Sequence, residues 1–197
     1  MDFAERMSLW FNAFDAIHLQ ALHQGIRGIQ QAAPAPARNA RAARTASLDE
    51  DFRQVRGVLA KTIDGGPLAQ DDASTYPAWQ RRHQELQRQM EQMVGALREH
   101  VREVLAQASA RLRKLAALDV AMETLLTRRE QALLPASAAV LERRHAELRR
   151  AAEDGDTAWQ QAFGEEWREV LRAELELRLE PVAGLVDALE KQWNKQR

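Results

Sequence analysis

Side chains that could do chemistry are few and scattered in this chain. Its five histidines stand at positions 18, 23, 83, 100 and 145. His18 and His23 are five apart, a spacing that does not put two ligands on one helical face. Glu142-Arg143-Arg144-His145 has the Glu-x-x-His spacing with which di-iron helical bundles hold a carboxylate and an imidazole one turn apart. That chemistry needs a second such pair and two more inward-facing glutamates. The second pair is missing, so a surface salt-bridge role is expected for these residues. There is no glycine-rich phosphate loop, no His-Glu-x-x-His and no nucleophile elbow. With no cysteine, disulfides, thiolate metal sites and cysteine nucleophiles are excluded, as suits a reducing cytoplasm. Catalysis, a metal and a cofactor are therefore not expected.

Arginine is the more informative residue. Lysine supplies only four of the 28 basic groups, and arginines pair at 81–82, 128–129, 143–144 and 149–150. Arg143, Arg144, Arg149 and Arg150 make the densest basic surface, a candidate contact for phosphates or an acidic partner. Arg38, Arg41 and Arg44 form a second basic group with no acid between them. Glu147 is expected to pair with Arg143 or Arg150 along the helix, for about 0.2–0.5 kcal/mol.

The elements that must position these groups are helices. Trp79, Leu86, Met90, Met93, Leu97, Val101, Val104, Ala108, Leu112, Leu115, Leu118, Met122 and Leu125 recur at steps of three and four, with His83 in the one wide gap. This is an α-helical stripe, and unbroken it would span about 70 Å. Gly95 and Ser109 are its weak points, and a kink or break is expected near Ser109.

Before it, Phe3, Met7, Trp10, Phe14, Ile17 and Ala21 predict a first helix over residues 1–30. The Ala/Pro-rich, basic stretch 31–46 reads as a flexible linker. Ser47 and Glu50 have capping-box spacing, with Asp49, Glu50 and Asp51 in the first turn of a helix carrying Phe52, Val55, Leu59 and Ile63. Gly65, Gly66 and Pro67 end it. A polar loop with Asp71, Asp72 and Ser74 then leads to Tyr76-Pro77, where proline suits a first helical turn.

After the stripe, Thr127 and Glu130 predict a short helix that Pro135 stops or bends. Another spans roughly 136–153 and closes at Asp154-Gly155-Asp156. Thr157 caps a helix striped by Trp159, Phe163, Trp167, Val170, Leu171 and Leu175. Pro181 begins or kinks the last one, where Trp193 is expected to pack against its predecessor. The predicted fold is all-α: an elongated helical bundle of six or seven helices over 47–197, with long antiparallel members and 1–30 packed upon it. No apolar run is long enough for a membrane span, and no signal peptide opens the chain, so direct membrane insertion is not expected and a cytoplasmic location is.

Charge is uneven along the chain. Residues 77–150 hold 14 basic and 9 acidic groups, whereas residues 151–197 hold 6 and 11. The two segments could attract each other within a bundle or between subunits. A protein partner, self-association through an a/d-like stripe, and DNA contact through the basic middle are all compatible with this pattern.

Three stretches resemble an uncharacterised helical family of proteobacteria. They are DFAERMSLWFNAFDAIHLQ at the start, LREHVREVLAQASARLRKLAALDVAMETLLTRREQALL in the centre and LRAELELRLEPVAGLVDAL near the end. Leu118-Asp119, Met122-Glu123, Arg129-Glu130-Gln131 and Pro181 with Gly184-Leu185 carry most of the likeness. Members of that family are encoded beside MotA-like and OmpA/MotB-like membrane proteins, an arrangement similar to the third type of Zorya anti-phage defence system. The resemblance implies a non-enzymatic, cytosolic accessory or effector protein of bacterial antiviral defence. Its partner would be a sister defence protein or the cytoplasmic tail of a MotA-like motor protein. Family members carry a further helix before the Phe-Ala-Glu-Arg segment, and any function placed in that helix is not expected of the present sequence.

Overall fold

A computed structural model describes residues 38–65, 74–153 and 156–194, without the side chains of 38–43, 125–126 and 128–136. Among the described residues all regular structure is helical, in four long helices: α1 (Arg38–Asp64), α2 (Tyr76–Ala108), α3 (Ala110–Ala151) and α4 (Ala158–Asn194). The expected helix through Phe3, Trp10 and Phe14, linker residues 31–37, the Asp71-Asp72 loop and the Asp154-Gly155 turn lie outside them.

The central stripe does break at Ser109, the single residue between α2 and α3. Its backbone is extended, and its hydroxyl accepts the Leu112 N–H at 3.2 Å. That bond satisfies one of the orphan donors of a new helix start. The chain then doubles back, so that Arg98 on α2 faces Asp119 on α3 and the Tyr76 hydroxyl donates to the Ala138 carbonyl at 2.7 Å. At the head of α2, Thr75 is the N-cap and a proline occupies the first turn, as the Tyr76-Pro77 pair predicts.

Helices α2 and α4 run parallel, and each packs against all three of the others. Trp79 meets Phe163 and Trp167, and one level further along Gln87 donates to Glu174 at 2.9 Å. Helix α1 runs opposite to α4, with Arg56 on Glu176 and Asp64 on Arg172. One core results, from Leu48, Leu59 and Ile63 on α1 through Met90, Val101 and Leu105 to Leu171, Leu179 and Leu189 on α4. Fully burying a residue of this type is worth about 1.5–3 kcal/mol. Trp193 packs against this core, partly buried.

Three boundaries differ from the sequence reading. Helix α1 begins at Arg38, so residues 38–46 are helical rather than a linker. Beyond Pro36 this stretch is alanine and arginine apart from Asn39 and Thr45, with no glycine or proline, and alanine and arginine have high helix propensities. Ser47 is accordingly no cap, and Asp49 and Glu50 lie inside the helix, both paired with Arg53. Helix α3 runs without interruption through Thr127 and Pro135, and α4 through Pro181. A proline removes one i→i−4 bond. In α4 the residues around it, Leu179, Val182, Leu185 and Val186, are all buried, and their packing holds the helix across the missing bond.

Candidate interaction surface at the aromatic end of the bundle

The start of α2, the end of α3 and the start of α4 meet in a group of rings. Trp79 lies edge-on to Phe163 and Trp167, each with centroids 5.1 Å away. His145 is edge-on to Phe163 at 5.0 Å and to Trp159 at 5.1 Å, and it meets Tyr76 at 5.7 Å. Edge-to-face geometry at these distances adds about 0.5–1.5 kcal/mol per pair beyond area burial. Gly164 admits Trp79, since a Cβ there would stand 3.2 Å from Trp79 Cη2. The Tyr76 phenol is pushed above its usual range, first by burial and then by the nearby Glu142 carboxylate.

On the outer side of these rings lies an open groove lined by Thr75, Tyr76, Pro77, His145, Ala146, Arg149 and Arg150. Its lining is mostly apolar and includes two arginines. Arg149 and Arg150 sit in the last turn of α3, where the partial negative charge of the helix end favours cations. Both are exposed, as is Arg143, and none of the three forms an ion pair among the described residues. Arg144 is different. Its Nε and Nη2 donate to the two carboxylate oxygens of Glu166 at 2.7 Å each, a bidentate bridge from α3 to α4. The hydrogen bond and charge of Glu166 raise the Arg144 pKa, and Arg144 in turn holds the Glu166 carboxyl below its ordinary value, against a smaller effect of burial. Glu147 pairs with Arg144 at 3.7 Å rather than with Arg143 or Arg150.

The seven candidate arginines thus do not form one surface. Arg44 is exposed on α1, seven residues before Asp51, which faces His100 in the half of α2 nearer the Ser109 bend. The Arg143–Arg150 group borders the opposite end, at Tyr76. Arg38 and Arg41 belong to the first turns of α1, and their side chains lie outside the described residues. The Glu142-x-x-His145 spacing does not converge either: His145 is buried among rings while Glu142 is exposed. Among the described residues no group of three or more histidine, aspartate or glutamate side chains is placed to hold a metal ion.

Two buried polar centres were not expected as such from the sequence, although His83 stands in the gap of the apolar stripe and Asp119 among the residues of the family likeness. Near the bend, Asp119 accepts from Arg98 at 2.6 and 2.8 Å and from Arg102 at 2.7 Å, and Glu123 lies 2.8 Å from Arg102. Arg98, Arg102 and Asp119 are all buried. The signal was present: Asp119 stands seven residues after Leu112, on the apolar face. In mid-bundle, buried His83 has its Nε2 at 3.3 Å from Glu174 Oε1. Burial opposes ionisation of Glu174, but His83, Gln87 and Arg178 outweigh it, and the carboxyl titrates below its usual value.

An all-helical bundle held by ion-paired arginines, with exposed arginines at its aromatic end, defines the class of protein. The chain matches the family described as "Protein of unknown function (DUF3348)" over residues 1–191, and it belongs to that family. Comparison with curated proteins and with solved structures gives no match. Among the described residues no helix is long and apolar enough to cross a membrane.

Proposed function

We propose that this chain is a non-enzymatic helical interaction protein that binds a protein partner at the aromatic end of its bundle. The observation that carries the proposal is the apolar groove at Tyr76, Pro77 and Ala146 bordered by Arg149 and Arg150, two exposed cations without a carboxylate among the described residues. A mostly apolar lining that includes two arginines suits a segment that buries an apolar side chain between acidic ones. The resemblance set out above supplies the setting: an accessory or effector component of anti-phage defence in the bacterial cytoplasm. The partner is then a sister defence protein or the cytoplasmic tail of a MotA-like motor protein.

A second reading, DNA contact through the basic α2–α3 region, is favoured by the charge of residues 77–150 alone. The two separate in light scattering of the purified chain mixed with a short duplex DNA, and with the cytoplasmic segment of a neighbouring MotA-like protein, at 50 and 200 mM salt. The protein reading expects a complex with the segment at both salts and none with DNA. A DNA complex formed at low salt and lost at high salt, with no binding of the segment, overturns it.

A further inference from the structure

We infer that Ser109 is a hinge at which the chain opens to exchange halves with a second copy of itself. The inference is independent of the partner proposed above. The apolar stripe from Trp79 to Leu125 keeps its helical period straight through the bend. The residues there, Gln107-Ala108-Ser109-Ala110-Arg111, contain no glycine, proline or asparagine, and all but the serine are good helix formers. Ser109 itself sits at φ −162 and ψ 161, ordinary extended backbone that demands no special residue. Nothing local, then, requires the bend.

Two side chains relieve the helix ends that it creates. The Ser109 hydroxyl takes the Leu112 N–H, and Arg113 Nε donates to the Ala106 carbonyl at 3.0 Å. In a continuous helix the backbone would satisfy both groups. What keeps the chain folded back is the tertiary contact across it: Leu112 and Ala116 in the core, and Asp119 between Arg98 and Arg102. A second copy offers the same contacts. The hinge divides the described bundle into two halves, α1–α2 and α3–α4, whose members pack within each half. When α1–α2 of one copy closes on α3–α4 of another, every interface is kept except the bend. The most extensive helix contacts, α2 with α3, α1 with α4 and α2 with α4, run between the halves, and a short connection between halves that pack on each other in this way is the arrangement from which domain exchange proceeds. In the exchanged form α2 and α3 make one rod of about 114 Å.

The test uses the full chain, which has no cysteine, so that two introduced thiols carry the only labels. Oligomeric state is followed by size-exclusion light scattering from 1 to 200 µM for the native sequence, for Ser109→Ala, and for a chain with Gly-Asn-Gly inserted after Ser109. The expected result is a dimer whose fraction grows with concentration, increases at least threefold in Ser109→Ala, and disappears with the insertion. Donor and acceptor dyes at Gln80→Cys and Glu142→Cys then report the fold of single chains diluted into an excess of unlabelled protein. These sites are close together in the closed chain and about 90 Å apart along the rod, so the isolated dimer loses its energy transfer. Absence of a dimer in both the native chain and Ser109→Ala overturns the inference. So does a dimer that keeps its energy transfer, or one that the insertion leaves unchanged.

Discussion

Asp119 shows what a single buried charge does in this bundle. It lies between the guanidinium groups of Arg98 and Arg102, with Glu123 beside them. Removing it takes away the buried carboxylate that Arg98 and Arg102 share and leaves them only the more exposed Glu123, at 3.5 and 2.8 Å, so Asp119→Ala is expected to cost up to about 3–5 kcal/mol in urea unfolding. Replacing Arg98, Arg102 and Asp119 together by Met, Leu and Leu should be near neutral or stabilising, because the desolvation cost goes with the charges. A triple variant as unstable as Asp119→Ala would mean that packing, rather than charge, limits the site.

Glu174 adds a pH dependence. An unfolded glutamate takes up its proton near pH 4.5, whereas the folded Glu174 does so at lower pH. Its contribution is therefore fully present above pH 4.5 and is lost as pH falls through the folded value. Glu174→Gln should flatten the fall in stability between pH 5 and pH 3. An unchanged slope would place the acid sensitivity elsewhere.

Between helices, Gly164 sets how closely α4 approaches α2. A glycine-to-alanine change inside a helix ordinarily stabilises by up to about 1 kcal/mol. Here the added methyl would stand 3.2 Å from Trp79, which is 3 % exposed and fixed between Phe163 and Trp167. Gly164→Ala is expected instead to destabilise, by about 1–3 kcal/mol, with altered near-ultraviolet circular dichroism from the tryptophans. Pro181 offers the opposite case. Its ring leaves the Leu177 carbonyl without a helical donor, and Pro181→Ala should raise the melting temperature by restoring that bond.

The element scale is also where the sequence was most and least legible. The stripe and the proline start of α2 follow from periodicity and capping alone, and Ser109 is legible only as a weak point of the stripe. The buried register does not follow. Steps of 3.5 residues place Met93, Val104 and Leu115 inward, whereas these are only partly buried and the core positions are Val94, Leu105 and Ala116. On α2, Trp79, Met90 and Val101 are spaced by eleven, as are His83, Val94 and Leu105, so the face drifts with a nearly straight helix rather than following a left-handed supercoil seam. Helix continuity through Pro135 and Pro181 was hidden for another reason: whether a proline ends a helix depends on the packing of its neighbours, which lies beyond local pattern. Asp119 was read past because a charge on an apolar face reveals its partners only after the chain has folded back.

For the whole molecule, the acidic residues of 151–197 and the basic residues of 77–150 meet partly inside one bundle, as Arg144–Glu166 shows, and His83 of the middle segment also faces Glu174. In the function proposed above, the basic excess left exposed at the end of α3 is the part that engages a partner. The most direct measurement of this claim compares the native chain with an Arg143→Glu, Arg149→Glu, Arg150→Glu variant, recording melting temperature and affinity for the cytoplasmic segment of the MotA-like protein together. The three arginines are exposed and lack carboxylate partners among the described residues, so stability should change by less than about 1 kcal/mol while affinity falls at least tenfold. Undiminished binding by a folded variant would contradict the account and move the partner surface away from the end of α3.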